Sequence, residues 1–136
     1  KAEIQPFCSV NLANLISQPI DLLSFPLIEV LGVSHSWDEW FEQFGIKMDP
    51  NHVICHKVDT ILAASLMVES GLGVMLAYPD LLMKQCLEGK LRAPFDATIH
   101  TKDNYYLAFP KDKPLTKSAI VFRDWLLGEM TELASH

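Results

Sequence analysis

The chain has 136 residues, a length that suits one domain and can bury a sizeable core. Hydrophobic residues make up 49%, which excludes a disordered chain, and 17 acidic against 11 basic residues leave a formal charge of −6. No basic run offers a footprint for nucleic acid, and no apolar run reaches the roughly 18 residues that a membrane span needs.

The start, KAEIQPFC, has no apolar signal region, so a cytoplasmic location is expected. EIQPFCS is an extended run and NLANLIS a weak helical stretch. FPLIEVL reads as a buried strand introduced by Pro26. In SWDEWFEQFG, Trp37, Trp40, Phe41 and Phe44 share one helical face, while Asp38, Glu39, Glu42 and Gln43 take the other. Ser36 and Glu39 are spaced as a capping box, and Gly45 stands where a helix stop belongs. DPNH is a turn and HVICHKV a strand. A helix is expected from about Thr60 to Ser70, then a strand from Val74 to Tyr78. Pro79 opens a helix over Asp80 to about Glu88, stopped at Gly89. RAPFDATIHTKDN reads as loop and YYLAFP as strand. TKSAIVFRDWLLGEMTELA is an amphipathic helix with Phe122, Leu126, Met130 and Leu133 on one stripe. This alternation predicts an α/β fold with a largely parallel sheet.

Gly71 and Gly73 raise the question of a phosphate loop. Such a loop lies after a strand and before a helix, where backbone N–H groups face the anion. Here the glycines follow a helix and precede a strand, so they meet the negative end of the helix dipole. They read instead as a helix cap and a tight strand entry. His52, Cys55 and His56 have metal-ligand chemistry, but on a strand His52 and His56 lie about 13 Å apart. Ser34, His35 and Ser36 are neighbours in sequence, which does not make a nucleophile and base. Cys8, Cys55 and Cys86 are widely spaced, with no C-x-x-C, and read as reduced thiols. No metal, cofactor or catalytic set is expected. In an open α/β sheet a ligand sits beyond the carboxyl ends of the strands. That draws attention to the loops 31–37, 57–60 and 77–79, and to Thr60, which offers a hydroxyl at a helix start.

SWDEWFEQFG, VDTILAASLMVESGLGVMLAYPDLLMKQCLEGKLRAPF, NYYLAFP and AIVFRDWLLGEM, in that order, resemble the C-terminal effector-binding region of LysR-type transcriptional regulators. The likeness is to the branch with the glycine-cleavage activator and the β-lactamase regulator. It implies a type 2 periplasmic-binding-protein-like α/β fold, with subdomain two and the C-terminal return segment of subdomain one in this chain. Residues 1–103 would form subdomain two with its entering crossover strand. Residues 104–136 would form the returning crossover strand and the C-terminal helix. The partners implied are a small-molecule effector and DNA, the latter only through a separate helix-turn-helix domain. The stripe Phe122, Leu126, Met130 and Leu133 would normally pack on subdomain one, so the chain is expected to pair with a further copy, swap this helix or fold it onto its own subdomain. Thr60 matches the family's ligand-contacting serine or threonine, and Tyr105 its cleft tyrosine; Asp59 and Tyr78 are added by position. A solute-binding protein of a transport system is the second reading, since it shares the fold. An enzyme on the same fold would need a convergent acid–base set.

Overall fold

The computed structural model describes residues 2–33, 35–102 and 106–133, with residues 132 and 133 described by backbone alone. By its contacts the chain divides into two compact units, Lys1–Asn104 and Tyr105–His136.

In the first unit the strands are β1 (Glu3–Ser9), β2 (Leu27–Val30), β3 (Cys55–Val58), β4 (Val74–Ala77), β5 (Leu91–Arg92) and β6 (Ile99–His100). The helices are α1 (Val10–Ala13), α2 (Trp37–Glu42), α3 (Ile61–Glu69) and α4 (Pro79–Leu87), with a 3-10 turn at Pro19–Ser24. The strand order is β3-β2-β4-β1-β5, and β6 also pairs with β1. β2 lies parallel to β3 and β4, whereas β1 is antiparallel to β4, β5 and β6. The expected parallel sheet therefore needs correction. β2 to β6 all run in one direction, as helical crossovers require, but β1 is inserted between β4 and β5 in the opposite sense. Pro6 falls where β1 has β4 on one side only, between its pairings with β6 and with β5. That is the sort of position where a strand tolerates a missing N–H.

The core explains why these segments take these forms. Trp37, Trp40 and Phe41 are fully buried with Leu27, Ile28, Val68, Val74 and Met75. Ser36 Oγ accepts from the Glu39 N–H at 3.3 Å, and Glu39 Oε2 accepts from the Ser36 N–H at 3.1 Å, closing the capping box. The Trp37 indole N–H donates to the Ile28 carbonyl at 3.1 Å and ties α2 to β2. Phe44 lies past the end of α2 and is partly exposed, packing on Trp40 at 4.5 Å between ring centroids. Gly71 ends α3 with φ 80°, and the Leu72 N–H reaches back to the Met67 carbonyl at 3.1 Å. At Gly73 a Cβ would overlap the Pro26 carbonyl, the group that accepts the Val74 N–H. Both glycines are structural.

Three further expectations change. NLANLIS supplies only the single turn α1, and the following 3-10 turn was not legible; the N–H groups of Ser17 and Gln18, just before it, donate to Asp21 inside it. The segment read as loop, 92–104, contains part of β5 and all of β6. Two-residue strands carry no periodic pattern; pairing with β1 creates them. Conversely, Tyr106–Pro110 form no strand. Extended residues become a strand only beside a ladder partner, and none among the described residues pairs with them.

The second unit is built on α5 (Lys117–Leu133), whose start is capped by Thr116 Oγ1 accepting from the Ala119 N–H at 3.2 Å. Phe122 and Met130 of the expected stripe are exposed, as are Val121, Trp125 and Leu127, and Leu126 is half-buried. The side chain of Leu133 lies outside the description.

Candidate functional site

The carboxyl ends of β2, β3 and β4 lie side by side because these three strands are parallel neighbours. Each end leads towards a helix, so α2, α3 and α4 all begin near this rim. Thr60 is the N-cap of α3: its Oγ1 accepts from the Ala63 N–H at 3.1 Å, and its carbonyl accepts from Ala64 at 3.1 Å. The hydroxyl therefore has a structural duty, and its proton can still donate. Asp59, just before it, is exposed.

Tyr78 follows β4 and precedes Pro79, the first residue of α4. Its hydroxyl stands 3.5 Å from His35 Nδ1, and the two rings meet edge to face at 5.4 Å and 87°. Both residues line a hollow of about 10 Å³, to which β2, the loop after it, β4 and the start of α3 also contribute. Val30, Val33, Trp37, Ile61, Leu76 and Ala77 give it an apolar wall. Glu29, also in the lining, accepts weakly from Cys55 Sγ at 3.6 Å.

Of the four residues singled out from the sequence, Tyr78 lines the hollow. Thr60 and Asp59 stand one and two residues before its Ile61 and are not in the lining themselves. Tyr105 lies outside the described residues, as does Ser34. His35 and Glu29 were missed. His35 was weighed only as a base for a neighbouring serine; its place on the loop after β2 was the signal available. Glu29 sits inside a strand and carried no signal.

The other constellations lead elsewhere. β3 starts only at Cys55, so His52 belongs to the preceding turn and pairs with Asp49 at 2.7 Å. Among the described residues no three His, Cys, Asp or Glu side chains are grouped to hold a metal. Burial pushes the Cys8 thiol up to about 11, only partly countered by Arg92. Burial also raises the thiols of Cys55, where Glu29 adds to the effect, and of Cys86. The protonated, unreactive form is favoured at all three. Among the described residues no helix is long and apolar enough to cross a membrane.

Sheet order, crossovers and rim define an α/β lobe of the periplasmic-binding-protein-like kind found in effector-binding domains. The family model described as LysR substrate binding domain matches residues 2–131, and the chain belongs to that family. It is 32% identical over 132 residues to the HTH-type transcriptional activator AmpR of Rhodobacter capsulatus, covering 97% of this chain and 44% of that protein. It is 32% identical over 131 residues to the HTH-type transcriptional regulator PerR of Escherichia coli, covering 94% of this chain and 43% of that protein. The effector domain of AmpR from Pseudomonas aeruginosa superposes with a TM-score of 0.83 at 27% identity, covering 98% of this chain and 63% of that one. The chain thus spans less than half the length of the curated relatives named. These relatives are regulators of transcription, not enzymes, and they do not favour the transport reading.

Proposed function

We propose that this chain is part of the ligand-sensing domain of a LysR-type transcriptional regulator. It would bind a small-molecule effector at the rim of β2, β3 and β4 and relay that state to a helix-turn-helix domain elsewhere in the protein. The family match over residues 2–131 carries this reading. The hollow beside Tyr78, where parallel strands end, supports the position of the ligand.

On this reading residues 1–103 form effector-binding subdomain two, with β1 as the entering crossover strand. Residues 104–136 form the returning segment and the C-terminal helix of subdomain one. Thr60, Asp59 and Tyr78 contact the effector from this wall, and Tyr105 from the returning segment. The protein acts in the cytoplasm, where its DNA is. It works as a homo-oligomer, a reading supported by the apolar side chains that α5 exposes. Transcription from the regulated promoter, in the protein that carries this chain, tests the reading. Thr60→Ala and Tyr105→Phe should weaken the effector response while the protein stays folded and bound to DNA. An unchanged response in both variants would refute the site assignment.

A further inference from the structure

Three consecutive residues fix the start of α2, each in a different way. Ser36 is the N-cap: its Oγ accepts from the Glu39 N–H, and its carbonyl accepts from the Trp40 N–H at 3.1 Å. Trp37 is fully buried and bonds to the Ile28 carbonyl of β2. His35 reaches across the rim instead: its ring meets that of Tyr78 edge to face at 5.4 Å, with Nδ1 3.5 Å from the Tyr78 hydroxyl. The Trp37 bond is sealed in the core, and the Ser36 bonds close on α2 itself. The His35 contact differs from both. Its two rings are half-buried, and its partner Tyr78 stands on another segment, between β4 and α4. At 3.5 Å the polar part of the contact is at the long end for a hydrogen bond, so a better partner can displace it.

We propose that His35 is a positioning residue that couples Tyr78 to the first turn of α2. The regulatory use of this coupling rests on the reading of Tyr78 as an effector contact. An effector atom that hydrogen-bonds to the Tyr78 hydroxyl competes with His35 Nδ1 and shifts the ring pair. Ser36 is the next residue, so the shift arrives at once at the capping box. Occupation of the rim is thereby passed to α2 without the effector touching that helix.

Amide hydrogen exchange of the folded chain, with neither effector nor DNA present, tests the coupling. His35→Ala should speed exchange at Glu39 and Trp40 about two- to tenfold, the worth of one aromatic pair. Tyr78→Leu should do the same at those two amides, although it lies on another segment. The double variant should exchange no faster than the faster single variant, because both substitutions remove one shared contact. His35→Phe keeps a ring for Tyr78 and should restore most of the protection. Ala63 and Ala64, whose N–H groups are capped by Thr60, should keep their rates throughout. Four results would overturn the proposal: unchanged rates at Glu39 and Trp40 in both single variants, effects that multiply in the double variant, a His35→Phe variant as fast as His35→Ala, or an equal rise at Ala63 and Ala64. If the alanine and leucine variants do not fold, Tyr78→Phe decides, since it removes a single oxygen. The amide signals of Ser36 and Glu39 should then move, and signals that stand still would overturn the coupling. No effector enters these measurements, so a failed coupling leaves the regulator reading standing. A promoter indifferent to Thr60→Ala and Tyr105→Phe refutes the site assignment and leaves the coupling standing.

Discussion

Among the glycines, Gly73 is the one where an added Cβ meets backbone atoms too closely, so Gly73→Ala should carry a large local cost. The new Cβ would overlap the carbonyl oxygen and carbon of Pro26, backbone atoms at the entry to β2. That carbonyl accepts the Val74 N–H at 3.0 Å, and Val74 is fully buried. Relief by separation breaks this bond and leaves a buried donor unpaired, at about 1–3 kcal/mol. The φ of 155° adds backbone strain of about 1–3 kcal/mol for a residue with a Cβ. The sum, about 2–6 kcal/mol, is a large share of the roughly 5–15 kcal/mol that holds a domain together. Gly71→Ala is the matched control two residues away. Its φ of 80° also disfavours a side chain, yet the nearest atom to a new Cβ is Ser9 Oγ at 3.8 Å, ordinary contact. It should cost only the left-handed strain, about 1–2 kcal/mol. Urea unfolding followed by the fluorescence of buried Trp37 and Trp40 measures both. If Gly73→Ala is no more destabilising than Gly71→Ala at an equal slope, the close approach of α3's exit to β2 does not govern this corner.

Ser36→Ala removes one arm of the capping box of α2 and should cost about 1 kcal/mol in the same unfolding assay. Cys8 should resist thiol reagents in the native protein and react only on unfolding, since it is fully buried. Because burial raises its pKa from 9.0 to about 11, the folded state holds the proton more tightly than the unfolded chain does. Its contribution to stability is complete below pH 9 and fades as pH climbs towards 11; Cys8→Ser should flatten that part of the pH–stability curve. The apolar side chains of α5, Val121, Phe122 and Trp125 among them, should drive association, so the mass seen by sedimentation should rise with concentration and fall in Phe122→Asp. A strict monomer with an ordered, exposed α5 would refute that.

The parts of the fold that the sequence made legible are those with a local cause. α2 carries its cap, its apolar face and its stop within ten residues, so its position followed from Ser36, Glu39, the tryptophans and Gly45 alone. The same holds for the glycines after α3 and for Pro79 and Gly89 around α4. The failures have non-local causes. β1 looks like any other strand in isolation; its reversed direction is a fact about β4 and β5, 60 or more residues away. β5 and β6 exist because β1 offers them an edge, and Tyr106–Pro110 show the converse, strand-forming residues with no ladder partner among the described residues. Local preference states what a segment can become, and pairing decides what it is.

The candidate site divides along the same line, with a consequence for how Thr60 should be read. As an N-cap it was visible from sequence, because capping is a relation between residues three apart. The hollow was not visible, because it needs the ends of β2 and β4 and the start of α3 to meet. Thr60 joins the two: its hydroxyl oxygen holds the first turn of α3, and the residue stands one position before Ile61 of the hollow's lining. A loss of effector response in Thr60→Ala is therefore ambiguous, since it removes the cap as well as the proposed contact. Thr60→Asn keeps a capping acceptor while changing the group offered to a ligand. If the cap alone mattered, Thr60→Asn would restore the response lost in Thr60→Ala; if the hydroxyl donates to the effector, it would restore stability and leave the response impaired. Thr60→Ser keeps both functions and should behave as the parent in both measurements. A Thr60→Asn variant that is as stable and as responsive as the parent removes Thr60 from the proposed effector contacts and leaves Asp59, Tyr78 and Tyr105 among them.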